Sequence, residues 1–165
     1  FITKDLASNI FEKKDFLKRV IFHKKLGSMF DKVQRIIEIS SYINSQSYRD
    51  NKILFKEIAE VCKLDLISNM VVEIPKLQGY IGAYYAKETG LTTVVANGIK
   101  DHYSPKIPED GIPGTVDAQI VSMADKIVFN TGFLEILILN MKSINLLIKI
   151  LLMCFLPDSG SIRPL

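Results

Sequence analysis

Cysteine is nearly absent: Cys62 and Cys154 are the only two in 165 residues, and neither sits in a Cys-x-x-Cys pair. That excludes a zinc knuckle or a disulfide framework and fits a reducing, cytoplasmic setting. There is no Gly-rich phosphate loop, Walker pattern or Ser/His/Asp triad, so the usual signatures of nucleotide hydrolysis and acyl transfer are missing. A signal segment is missing too. The chain starts Phe1-Ile2-Thr3-Lys4, with neither an initiator methionine nor a basic-then-apolar pattern, and reads as a piece cut from a longer chain. Uninterrupted apolar runs are also lacking. Residues 133–156 are long enough to span a bilayer but carry Glu135, Lys142 and Lys149. A lysine near a membrane centre costs roughly 2.5–3.5 kcal/mol, so no membrane span is expected. The stretch is read as a helix buried by the core or by parts of a parent protein.

What is present is a globular composition, 48% hydrophobic and 24% charged, enough for one domain with a sizeable core. The net charge of +3 is unevenly spread: residues 1–63 hold 13 Lys/Arg against 8 Asp/Glu, and residues 64–165 hold 8 against 10. The first part is therefore the one suited to a polyanion. Apolar spacing is helical throughout. It predicts a helix over 10–20 and a long one from Leu26 to about Asn44, with Lys25, Lys32 and Arg35 off its inward stripe. A third helix, capped by Asp50 or Asn51, carries Leu54, Phe55, Ile58, Ala59, Val61 and Cys62. Asp65 is read as the cap of a helix ending at Ile74, and Pro75 as the start of another that stops before Gly90. Gly79, Gly82, Ala83 and Ala86 share one side of that second helix, which predicts a close neighbour there. Helices over 92–103 and from Thr115 onward complete the series, separated by a Pro/Gly loop over 104–114. The fold expected is all-α, a helical bundle without a sheet.

Three separated strings carry a resemblance. The first is Phe22-His23 with Lys25-Leu26-Gly27-Ser28, followed by Lys32 and Arg35. The second is Asp65-Leu66, Met70-Val71, Glu73, Pro75 and Leu77-Gln78-Gly79. The third comprises His102-Tyr103-x-Pro105 and Ala124-Asp125-Lys126. Over about Asp5 to Lys126 the chain resembles the β subunit of bacterial glycyl-tRNA synthetases. The resemblance implies a cytoplasmic protein working with an α subunit that activates glycine with ATP and Mg, and with tRNA. This piece would support aminoacylation through tRNA binding or subunit organisation, with no active site and no cofactor of its own. Lys24, Lys25, Lys32 and Arg35 are the candidate tRNA contacts. The implied layout is a leading segment 1–22 from a preceding domain, an HD-like helical domain over 23–130, and a divergent apolar helix and tail over 131–165. After Ile127 the chain departs from the family pattern, and only Pro157-Asp158-Ser159-Gly160-Ser161 echoes its Thr-Gly-Ser-Lys-Asp-Pro string, as a truncated or frame-altered reading frame would.

The order His23, Cys62-Lys63, His102, Asp125 also resembles the HD superfamily of metal-dependent phosphohydrolases, which hold a divalent ion with a His, a His-Asp pair and a late Asp. Here Cys62-Lys63 stands in the slot of the His-Asp pair. A protonated lysine offers no lone pair and repels a cation, so His23, His102 and Asp125 are residual positions and no metal is expected. An HD-type nucleotide phosphohydrolase and a purely structural helical fragment are the alternatives from other classes.

Overall fold

The computed structural model describes residues 1–46, 54–107 and 109–137. Within these the chain is helical, as the apolar spacing requires. Seven α-helices follow one another: α1 Ile2–Ala7, α2 Met29–Gln46, α3 Leu54–Val61, α4 Asn69–Glu73, α5 Tyr80–Glu88, α6 Thr93–Asp101 and α7 Val116–Leu137. The expectation of no sheet needs one correction: β1 (Ile21–His23) and β2 (Gly27–Ser28) pair as a small antiparallel hairpin. The cause lies in the Lys-Leu-Gly-Ser string. Gly27 takes a φ of +88°, which reverses the chain, and Ser28 then caps α2, its Oγ accepting from Asp31 N while donating to Asp31 Oδ2. The long helix accordingly begins at Met29 rather than Leu26.

The helix expected over 10–20 is two 3-10 turns, Ile10–Glu12 and Lys14–Arg19, which still bury Ile10 and Leu17 but leave Phe16 exposed. In the corner at 65–90, Ser68 rather than Asp65 caps α4, its Oγ accepting from Val71 N. Pro75 opens only a 3-10 turn, Pro75–Leu77, and α5 starts after Gly79, whose φ of +81° makes the bend. The crowding forecast for α5 holds: a Cβ on Gly82 would lie 2.9 Å from both Asp65 Cβ and Ile99 Cγ2 of α6. Thr115 caps α7 as expected, and Thr92, read as the first residue of its helix, instead caps α6. The caps assigned to Asp50 and Asn51, and residues 138–156, lie outside the described residues. Asp117 of α7, 62 residues along the chain, accepts from Phe55 N, which has no intrahelical acceptor in the first turn of α3.

Faces of α2, α3, α6 and α7 enclose the main core around Ile36, Ile58, Val95, Ile99, Val121 and Ala124. A smaller cluster joins Ile10 to Val71, Ile81 and Tyr85. Residues 1–22 are thus tied to the body of the fold. No described helix is long and apolar enough to cross a membrane.

Candidate functional site

Four elements deliver charged or ionisable side chains to one buried point. Lys32 comes from α2, Lys63 follows α3, His102 ends α6, and Asp125 sits in α7. Lys63 is 2% exposed and its Nζ lies 2.8 Å from Asp125 Oδ2, 2.9 Å from His102 Nε2 and 4.0 Å from the centre of the Tyr103 ring. His102 Nδ1 is 2.7 Å from the Ile99 carbonyl, which only accepts, so Nδ1 carries the proton and Nε2 offers its lone pair to Lys63. Lys32 Nζ pairs with Asp125 Oδ1 at 2.7 Å and stands over the rings of Phe22 and Phe129. Each proton of the Lys63 ammonium therefore has an acceptor, counting the ring face.

Electrostatics follow from this packing. Burial works against the Lys63 ammonium, but Asp125 beside it outweighs that and holds Lys63 above the ordinary lysine value. Burial likewise opposes the Asp125 carboxylate, and Lys63 and Lys32 overcome it, keeping Asp125 well below the carboxylate range. For His102 burial dominates and Lys63 adds to it, so the ring stays neutral. Lys32 is lowered by burial first and by Lys63 next. Cys62 is pushed up to about 12 by burial and is no nucleophile. The site is a buried ion network in which Lys63 and Asp125 hold their charges against a neutral His102, with the neighbouring Cys62 thiol unreactive at neutral pH.

The structure joins two of the three residual positions. His102 and Asp125 meet through Lys63, whereas His23 Nδ1 accepts from Lys25 N in the hairpin. Among the described residues no three His, Cys, Asp or Glu side chains are grouped to hold a metal. An ammonium within hydrogen-bond reach of both remaining donors also occupies the space a divalent ion would need, so these residues do not fit one. Asp125 pairs with Lys63 and Lys32. Its neighbour Lys126 instead reaches the Ser104 carbonyl at 3.0 Å, tying the His102-Tyr103-x-Pro105 string to α7.

The four residues proposed from sequence to touch nucleic acid divide. Lys24 and Lys25 are exposed at the hairpin turn. Arg35 is half-buried and donates from Nη2 to the Leu26 carbonyl, bracing the hairpin on α2. Lys32 is 5% exposed and committed to Asp125. An outward Lys32 is excluded because α2 is gripped from two sides, by α3 and by α7, so its buried arc is wider than its apolar stripe. Lys63, which in the sequence stands only as a missing ligand, is the centre of the cluster. The available signal is a lysine inside the apolar run Val61-Cys62-Lys63-Leu64, which needs a buried counter-ion.

Comparison with known proteins adds the following. Residues 1–139 match the family model described as "Glycyl-tRNA synthetase beta subunit". The glycine–tRNA ligase β subunit of Rickettsia prowazekii (strain Madrid E) is 44% identical over 127 residues, which is 77% of this chain and 18% of that protein. That of Rickettsia felis is 42% identical over the same shares. The subunit of Thermodesulfovibrio yellowstonii is 39% identical over 77% of this chain and 19% of its own length. The chain thus spans about a fifth of the length of the curated relatives it matches.

Proposed function

The chain belongs to the glycyl-tRNA synthetase β-subunit family, and from that premise we propose that it is a helical piece of a glycine–tRNA ligase β subunit that contacts tRNA through the turn at Lys24 and Lys25. Catalysis belongs to the assembled cytoplasmic enzyme, with glycine activation by ATP and Mg on an α subunit. This piece contributes binding and organisation and no reacting group.

One observation carries the reading. Lys24 and Lys25 stand exposed on a braced turn with no acidic partner among the described residues, whereas Lys14 is paired with Glu60 and Lys18 with Asp15. The brace is Arg35 on the Leu26 carbonyl together with Asp31 accepting from Ser28 N at 2.7 Å. Two exposed lysines on a braced turn suit phosphate contacts, which position a nucleic acid without reading bases. Lys32 and Arg35 contribute by holding the turn and the core. The Lys63 ammonium between His102 and Asp125 tells against the phosphohydrolase alternative, because it removes the water-activating ion from the chemistry.

The test is a salt titration of tRNA binding by this chain and by Lys24→Ala/Lys25→Ala. The double variant is expected to bind more weakly at low salt, with an unchanged circular dichroism spectrum. Its salt slope should be shallower by about 0.7–0.9 for each phosphate that the two lysines neutralise. Identical slopes and affinities would remove the hairpin from the tRNA interface.

A further inference from the structure

Lys63 is held as a guest would be. Three different groups, a neutral imidazole nitrogen, a carboxylate oxygen and an aromatic face, converge on its Nζ at 2.9, 2.8 and 4.0 Å. Each is fixed from behind. Ile99 orients His102 through Nδ1, Lys32 holds the other oxygen of Asp125, and the Tyr103 ring lies 3.9 Å from the His102 ring, centre to centre. Such outer partners are what orient the donors of a cation site. The two polar distances are those of charge-assisted hydrogen bonds, well beyond the roughly 2.0–2.2 Å of ligands on a transition metal. The open face of an aromatic ring is also a partner for an organic cation.

We propose that His102, Asp125 and Tyr103 form a cation site of primary-ammonium type, which the chain fills with its own Lys63 side chain. The disagreement between the HD-like layout and metal binding then has a physical content: the cation has become covalent, and it ties α3, α6 and α7 together without depending on ion supply. Two protein donors with Lys32 alongside are too few and too positive for a divalent ion, so the free ligand class that fits is a small alkylammonium. This reading is independent of the tRNA proposal.

The experiment shortens the tether. Lys63→Ala lacks the atoms of n-propylammonium, and its thermal midpoint is measured with propylammonium chloride, with n-propanol, and with tetramethylammonium chloride at equal ionic strength. The expected result is a rise of roughly 3–6 °C with propylammonium at tenfold its dissociation constant, absent with the other two and absent in the wild type. If Lys63→Ala is unfolded in plain buffer, the readout becomes recovery of the helical circular dichroism signal on adding the amine. No selective rise or recovery overturns the proposal. Adding Asp125→Asn to Lys63→Ala should abolish the effect, and rescue that survives that change would also overturn it.

Discussion

His102 gives the cluster a directional pH dependence. Its folded-state value lies well below the ordinary 6.5, through burial and the neighbouring Lys63, so below that pH the unfolded chain takes up a proton that the native state refuses. Stability should therefore fall on acidification, by up to about 1.4 kcal/mol per pH unit for one proton. Asp65 works in the opposite sense, since burial raises it and its protonated form is favoured in the folded state. Asp125, held below the carboxylate range, contributes stability that is present above its unfolded value and lost only in strong acid, while Lys63 loses its share only in strong alkali. Urea denaturation from pH 7 to 5 should show the His102 slope in the wild type and not in His102→Gln, which keeps a neutral acceptor for Lys63. Parallel pH profiles would mean that His102 is charged in the folded protein. At this scale the sequence discloses the identities of His102 and Asp125 as companions, but it does not disclose the occupant between them, because a lysine's partners lie 39 and 62 residues away.

Between elements, contact distance decides what helix propensity cannot. Gly98 sits inside α6, where alanine is worth about 1 kcal/mol more than glycine on propensity alone. A Cβ there would lie 2.5–2.8 Å from three side-chain carbons of Ile58 on α3, so the crossing has no room for it. Gly98→Ala should destabilise the fold by about 1–2 kcal/mol net, overpacking outweighing propensity. Asn97→Ala, on the exposed side of the same helix, should instead stabilise it by a few tenths of a kcal/mol. Thermal unfolding of the two variants checks the contrast, and stabilisation by both would show that α3 and α6 are not in close contact. The crowded face of α5 is legible in the sequence because Gly82, Ala83 and Ala86 gather on one side of it. Gly98 is the one glycine of α6 and repeats at no helical spacing with another, so nothing local marks it as the crossing point. The start of α5 escapes a sequence reading for a related reason: Pro75 is compatible with a helix start, but Asp65 Oδ2 accepts from Gly79 N at 2.6 Å and fixes the bend four residues later.

For the molecule as a whole, Asp5 joins the first helix to the rest. It is 2% exposed and accepts from Asn69 N, Asn69 Nδ2, Met70 N and Tyr85 Oη. Burial opposes its charge, but these donors outweigh burial and hold it below the ordinary carboxylate value. Asp5→Ala leaves the donors of three residues without a partner and should cost about 2–4 kcal/mol, against about 1 kcal/mol for Tyr85→Phe. Chemical denaturation of both single variants and the double variant should give a coupling of about 1 kcal/mol, and strict additivity would deny the bond any energetic role. The sequence by itself determined the all-α class, the cap at Thr115, the corner near Pro75 and the family, since helical period, capping and turn chemistry are local and a family string is read letter by letter. Only the tertiary structure decided that Lys32 turns inward, that Lys63 stands between His102 and Asp125, that Asp117 caps α3, and that Asp5 anchors α1. Each of these is a charge whose partner is distant along the chain, and burial makes such a pairing obligatory without marking in the sequence which partner the fold will bring.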